Sequence, residues 1–133
     1  MKLTNRSEYG LLALIYLGRK GHDQLIHGQE ISNAQAIPKR FMQQILYSLK
    51  QAKLIKSEKG KAGGYALARK PEDVTLAEII RLFEGPLAPS RSVSKYYYES
   101  TPIEREKKML ILLKELRTIV SDKLEKTTLA DML

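Results

Sequence analysis

Apolar residues recur along this chain at two periods, and the switches between them predict five helices and one β-hairpin. On a helical wheel from Pro38 to Lys53, Phe41, Met42, Ile45, Leu46, Leu49 and Ala52 share one side, while Lys39, Arg40, Gln43, Tyr47 and Lys50 share the other. The run Leu54-Ile55-Lys56-Ser57-Glu58-Lys59 then alternates at period two. Gly60-Lys61-Ala62-Gly63-Gly64 supplies a flexible tip, and Tyr65-Ala66-Leu67 resumes the extended pattern. Ahead of the wheel, Gly28 to Ala34 reads as a short helix with Ile31 inward and Gln29 and Glu30 outward, joined to it through Ala36 and Ile37. Helix, short turn, helix and hairpin in that order predict a winged helix-turn-helix.

Outside this unit, Ser7 to Lys20 reads as a helix that is apolar on nearly every side from Leu11 to Leu17, so more than one neighbour must cover it. Thr75 is a fair N-cap for a helix over Leu76 to Phe83, with Glu78 placed to complete a capping box and Ile79, Ile80, Leu82 and Phe83 to close the core. Gly85-Pro86 ends it. Residues 87–101 are loop-like, and Tyr96, Tyr97 and Tyr98 within them form either a packed patch or a place where an effector docks. Pro102 opens a last helix to about Lys126. Its stripe of Met109, Leu113, Leu116, Val120 and Leu124, widened by Leu110, Leu112 and Ile119, runs over ~33 Å. One small winged helix cannot cover a stripe of that length. The simplest cover is the same helix of a second copy, and the alternative is a fold back onto the helix Ser7 to Lys20. The fold class expected is therefore mainly α with a small β-hairpin wing, divided into a DNA-binding winged helix-turn-helix over 1–84, a candidate effector loop over 85–101, and a dimerisation helix with its tail over 102–133.

Composition narrows the function. A chain of 133 residues, 43% hydrophobic, suits one domain with an added dimerisation element. The longest apolar run falls far short of the ~20 residues a bilayer needs, and the first residues show no secretory pattern, so a cytoplasmic protein with no membrane partner is expected. There is no cysteine, which excludes disulfides and thiolate metal sites. His22 and His27 stand alone, and no catalytic triad or paired-acid frame is present, so no enzyme is expected.

The net charge is +8, and its placement matters more than its size. Between Pro38 and Lys61 there are seven Lys and Arg against a single acid, Glu58, so this stretch holds six of the eight net charges. A basic stripe along one helix and the adjoining hairpin is the footprint of a polyanion. Membrane lipid is the rival polyanion, but the wheel lacks the bulky aromatic edge of an interfacial helix. Lys and Arg bond guanine edges or phosphates and Gln bonds adenine, so Lys39, Arg40, Gln43, Tyr47 and Lys50 are candidates to meet double-stranded DNA. In the hairpin, Lys59 and Lys61 can reach phosphates or a minor groove, and the tip glycines Gly60, Gly63 and Gly64 permit close approach. A solvated amphipathic helix remains the alternative for the wheel alone. An interaction adaptor, docking a protein on the same surface, is the competing function.

Several separated motifs also carry a family likeness. Met1-Lys2-Leu3-Thr4, Ile37-Pro38-Lys39-Arg40-Phe41-Met42-Gln43-Gln44-Ile45-Leu46, Gly63-Gly64-Tyr65-Ala66-Leu67-Ala68, Val74-Thr75-Leu76-Ala77-Glu78-Ile79-Ile80, Glu84-Gly85-Pro86-Leu87-Ala88-Pro89 and Thr128-Leu129-Ala130-Asp131 together resemble the Rrf2 family of bacterial transcription regulators nearly end to end. The resemblance implies a homodimeric regulator, most simply a repressor, whose C-terminal helices cross and whose two winged helices bind an imperfect palindrome. It places Lys39, Arg40, Gln43 and Gln44 in the major groove and the wing from Lys59 to Gly64 in the minor groove. Two departures stand out. The wing reads Lys59-Gly60-Lys61-Ala62-Gly63 where many members have Arg-Gly-Pro-Gly-Gly, and between Gly85 and Lys108, where cluster-binding members carry three cysteines, this chain has Ser90, Ser92, Ser94 and Ser100. Hydroxyls do not replace the soft thiolates that an iron–sulfur cluster needs, so a cluster-free member without a cofactor is expected. Its signal would enter through a small molecule or a protein effector at the 87–101 loop.

Overall fold

Helix α1 (Asn5–Lys20) is the axle of the structure, a computed structural model describing residues 1–133. Its Ala13, Leu14 and Leu17 are buried, and it packs against α2 (Gly28–Gln35), α3 (Lys39–Gln51), β2 (Gly64–Leu67) and α4 (Leu76–Glu84), the multiple cover that its all-round apolar pattern demanded. Gly10 makes one of these contacts possible: a Cβ there would lie 2.4 Å from Cε2 of Phe83. The main core gathers Ile31 from α2, Met42, Ile45, Leu46 and Leu49 from α3, and Ile79 from α4, all at most 5% exposed. Phe41 is half-buried with its ring 5.4 Å from that of Tyr9, and Leu82, expected in the core, is 38% exposed because it lies on the outer face of α4.

The turn between α2 and α3 is fixed by backbone geometry. Ala36 adopts the left-handed conformation (φ 53°, ψ 41°), the amide of Ile37 donates to the Ser32 carbonyl at 3.0 Å, and Ile37 is buried, pinning the corner. At the far end, α3 stops at Gln51, two residues short of the wheel that the sequence suggested. Lys53 takes φ +60°, and the amides of Leu54 and Lys53 donate to the carbonyls of Leu49 (3.0 Å) and Lys50 (2.9 Å). This paired closure reverses the chain into β1 (Ile55–Glu58).

Strands β1 and β2 pair antiparallel in the register Ile55 with Leu67 and Glu58 with Gly64. A third short piece joins them. Ile26, in a segment whose extended character the period reading passes over, exchanges two backbone hydrogen bonds of 2.8 Å with Tyr65 and ties the wing to the start of α2.

Helix α4 has half of the expected capping box. Thr75 Oγ1 accepts from the Glu78 amide at 3.1 Å, but the Glu78 carboxylate turns to Arg69 at 2.5 Å instead of reaching back. The complete box is at the C-terminus, between Thr128 and Asp131. There Leu129 is fully buried in the main core, its amide donates to the Val74 carbonyl at 2.8 Å, and Thr128 bridges Thr75. The tail, which the sequence groups with the last helix, thus packs into the N-terminal body. Pro102 opens a 3-10 turn (Pro102–Arg105) rather than the last helix. Helix α5 (Lys107–Lys126) begins after an extended Glu106 and spans ~30 Å.

The start of α1 is anchored to the end of α4 by Glu84, whose carboxylate accepts from the Thr4 amide, from Thr4 Oγ1 at 3.2 Å and from Ser7 Oγ at 2.8 Å. Partial desolvation pushes this carboxyl upward, but the hydrogen bonds from Thr4 and Ser7 and the charge of Arg6 outweigh it and hold its pKa below the ordinary 4.5. A carboxylate with a depressed folded-state pKa stabilises the fold above its unfolded pKa, and that contribution is lost as pH falls through the folded value. Glu84→Gln is therefore expected to melt below the wild type at pH 7, with the gap closing in acid. An equal gap from pH 7 down to pH 3 would show that ionisation of Glu84 is not what holds this corner.

Candidate nucleic-acid interface

Helix α3 presents its polar side outward over its whole length. Lys39, Arg40, Gln43, Gln44, Tyr47 and Lys50 are all exposed, Tyr47 by 65%, and they occupy an arc of roughly 140° at 3.6 residues per turn. The opposite arc is locked into the core by Met42, Ile45, Leu46 and Leu49, so the polar arc cannot rotate inward. Arg40 lies 4.8 Å from the centroid of the Phe41 ring, within cation–π range.

The electrostatics of this surface are one-sided. All seven cations between Lys39 and Lys61, namely Lys39, Arg40, Lys50, Lys53, Lys56, Lys59 and Lys61, are exposed. None of them enters an ion pair. The three that form, Arg69–Glu78, Arg81–Glu125 and Arg91–Glu99, all lie elsewhere. Self-repulsion of this kind costs stability and is relieved by a bound polyanion.

The wing divides into a tip and a root. Lys59, Gly60, Lys61 and Ala62 are exposed, and the turn is closed by the Gly63 amide donating to the Gly60 carbonyl at 3.0 Å. Gly63 and Gly64, which the sequence suggested as contact residues, are buried. A Cβ on Gly63 would sit 2.2 Å from the Glu58 carbonyl oxygen, and one on Gly64 (φ +142°) would sit 2.7 Å from the Ile26 backbone. These two glycines let three backbones meet at the root of the wing; the surface that can touch a ligand is the tip.

Two contributors were invisible to the periodic pattern. A groove of about 460 Å3 runs between the N-terminal ends of α2 and α3, bordered by His27, Gln29, Lys39, Gln43 and Tyr65. Arg6, on α1, reaches α3 through Ser48 at 3.4 Å and adds a cation beside it. Neither the placement of Gln29 beside Gln43 nor that of Arg6 beside Ser48 leaves a mark at helical or strand spacing.

Helix α5 has no fully buried residue. Leu110, Leu113, Arg117, Val120 and Leu124 are half-buried toward the rest of the protomer, and Leu124 packs on both core clusters. Of the stripe read from the sequence, Leu113, Val120 and Leu124 therefore face their own body, which is α4 rather than α1. The face left open is turned from it by roughly 100° and carries Met109 (39% exposed), Leu112 (46%), Leu116 (43%) and Ile119 (67%).

The 85–101 loop holds hydroxyls where a cluster would need thiolates. Ser90 and Ser92 Oγ are 2.8 Å apart, and Thr101 Oγ1 is 3.2 Å from Ser90 and 2.8 Å from Ser92, a closed ring of three neutral oxygens that satisfy one another. This donor set does not fit an iron–sulfur cluster. Tyr96 and Tyr98 are more than half exposed and Tyr97 is 40% exposed. Tyr98 donates to Glu104 at 2.6 Å, which raises the pKa of the phenol and lowers that of the acid.

Comparison with known proteins agrees with this geometry. The transcriptional regulator CymR of Bacillus subtilis is 30% identical over 132 residues, covering 99% of this chain and 89% of the relative. The solved structure of CymR, the global cysteine regulator of B. subtilis, superposes with a TM-score of 0.79 at 30% identity, covering 99% of this chain and 95% of that one. An oxidised form of Staphylococcus aureus CymR gives 0.78 at 30% identity, with 99% and 95% covered, and T. potens IscR gives 0.74 at 25% identity, with 99% and 85% covered. The family model for the Rrf2 iron-dependent transcriptional regulators matches residues 3–133. A winged helix-turn-helix with an unpaired basic face, matched over nearly its full length, thus belongs to the Rrf2 family of DNA-binding transcriptional regulators, as a member whose cysteine-free loop sets it apart from the cluster-binding ones.

Proposed function

We propose that the protein is a homodimeric repressor of the cytoplasm that occupies a pseudo-palindromic operator and works without an iron–sulfur cluster. The observation that carries this most is the exposed arc of α3: three cations and two glutamines, fixed outward by a buried opposite face and left without a single carboxylate partner. In each protomer α3 enters the major groove, with Lys39, Arg40, Gln43 and Gln44 nearest the base edges and Tyr47 and Lys50 toward the backbone. The wing tip, Lys59 to Ala62, lies on the flanking minor groove. Two copies join through the open face of α5, where Met109, Leu112, Leu116 and Ile119 form an apolar stripe. At its edge Leu116, together with the half-buried Val120 and with Leu87 and Pro89, borders an open cleft of about 410 Å3. An effector, a small molecule or a protein, enters at the loop carrying Tyr96, Tyr97 and Tyr98.

Base readout and phosphate attraction separate in two measurements. Gln43→Ala is expected to cost ~1–3 kcal/mol on the operator and little on random duplex, because its bonds depend on a base edge. Equal losses on both would remove Gln43 from base reading. Replacing Lys59 and Lys61 together by Ala is expected to weaken all duplexes alike and to flatten the plot of log affinity against log salt by about 2. A wild-type affinity that does not fall with salt would point instead to a protein partner on this face.

A further inference from the structure

On the side of the molecule formed by the end of α4, the 85–101 loop and the middle of α5 there is a cavity of about 310 Å3, which no residue of α3 or the wing enters. Its walls carry three cations, Arg81, Lys95 and Arg117, against one carboxylate, Asp122. Arg81 is ion-paired with Glu125 and lies 4.9 Å from the centroid of the Tyr96 ring. Lys95 faces the same ring from 5.2 Å and has no acidic partner. Arg117 donates only to neutral acceptors, the Val93 carbonyl at 3.0 Å and Thr118 Oγ1 at 3.3 Å.

The position of Arg117 is unusual. It lies on the half-buried face of α5, between Leu113 and Leu124, where a leucine would serve packing alone. Bracing the Val93 carbonyl accounts for one of its N–H groups. It does not account for the convergence of Arg81 and Lys95 on a single tyrosine ring beside it. Glu125 balances Arg81, but Lys95 and Arg117 enter no ion pair and Asp122 pairs with neither, so like charges stand together around a small volume and an anion between them would complete the set.

We infer that this cavity is a binding site for a small organic anion bearing carboxylate or phosphate groups. The Lys95 ammonium and the remaining N–H groups of Arg117 can donate to such groups, and the rings of Tyr96 and Tyr97 supply an apolar wall for the carbon skeleton. The volume falls at the lower end of the ~300–1,000 Å3 of ligand pockets, which suits a metabolite-sized acid. An anion held by Lys95 and Arg117 bridges the loop to α5, the helix proposed to join the two copies; its effect on DNA, though not its binding, rests on the regulator proposed above.

Isothermal titration calorimetry of the full chain with succinate and with inorganic phosphate, at fixed ionic strength and with succinamide as the uncharged control, tests the site. At least one of the two anions is expected to bind saturably, one per chain, and succinamide not at all. Arg117→Gln and Lys95→Gln should each weaken binding by about 10- to 100-fold, as the loss of a hydrogen bond to a charged group does, while Lys107→Gln, at the far end of α5, should change nothing. Lys95 is exposed, so Lys95→Gln leaves the packing intact and decides the matter if Arg117→Gln does not fold. The site is overturned if neither anion binds saturably, or if binding survives Lys95→Gln unchanged. Because the titration is free of DNA, loss of the site and loss of operator binding are told apart.

Discussion

The double substitution Leu112→Asp with Ile119→Asp is expected to leave a folded monomer whose affinity for a two-half-site operator falls by about two to four orders of magnitude, the gain that linkage of two binding modules supplies. Both residues lie on the face of α5 that points away from the protomer, 46% and 67% exposed, so two new carboxylates cost little within one chain. In an α5 to α5 seam they would be desolvated opposite leucine and methionine, which is unfavourable enough to separate the copies. Leu124→Asp makes the contrasting case. It puts its charge against both core clusters and is expected to unfold the protomer rather than divide a dimer. Sedimentation velocity with operator titration reads both. A double variant that still sediments as a dimer would move the seam off this face.

Leu129→Ala is expected to destabilise the protein by about 2–5 kcal/mol, the usual cost of truncating a fully buried leucine. Against the ~5–15 kcal/mol of a small domain, this is a large share for a residue four positions before the last one. The reason lies in how the tail is held: the Thr128 capping box, the bridge to Thr75 and the hydrogen bond to Val74 set the leucine into the core beside α1 and the Pro71–Asp73 turn. Denaturant unfolding with an unchanged m-value is the measurement. The affinity of the fraction that stays folded should match the wild type, since Leu129 is buried in the core while the cations of α3 and the wing tip face outward. A loss below about 1 kcal/mol would mean that the tail only rests on the surface.

Membership of the Rrf2 family and the absence of cysteine together separate two properties that family members can combine, DNA reading and metal sensing. The basic face of α3 and the wing has its cations exposed and unpaired. The loop between α4 and α5 carries a ring of hydroxyls and, next to it, a cation-lined cavity. On the reading proposed above, a ligand at this loop acts through α5 on the pairing of two copies.

The sequence by itself determined the elements and the reading face. Period 3.6 over residues 39–51 places Met42, Ile45, Leu46 and Leu49 on one side and the cations on the other, and period two with glycines at 60, 63 and 64 makes the hairpin, because these are statements about each element's own axis and need no neighbour. The tertiary structure alone decided which apolar face goes where. On α5 the sequence shows one broad stripe; only packing against α4 separates the inward Leu113, Val120 and Leu124 from the open Met109, Leu112, Leu116 and Ile119. Likewise Gly64 reads as a flexible tip residue until the backbone of Ile26 is found 2.7 Å from where its Cβ would be, and Lys95, Arg81 and Arg117 read as scattered surface charges until the loop, α4 and α5 bring them around one cavity. Periodicity fixes the angle of a side chain about its own helix, whereas contacts between residues distant in the chain depend on how the helices are set against one another, and no local pattern records that.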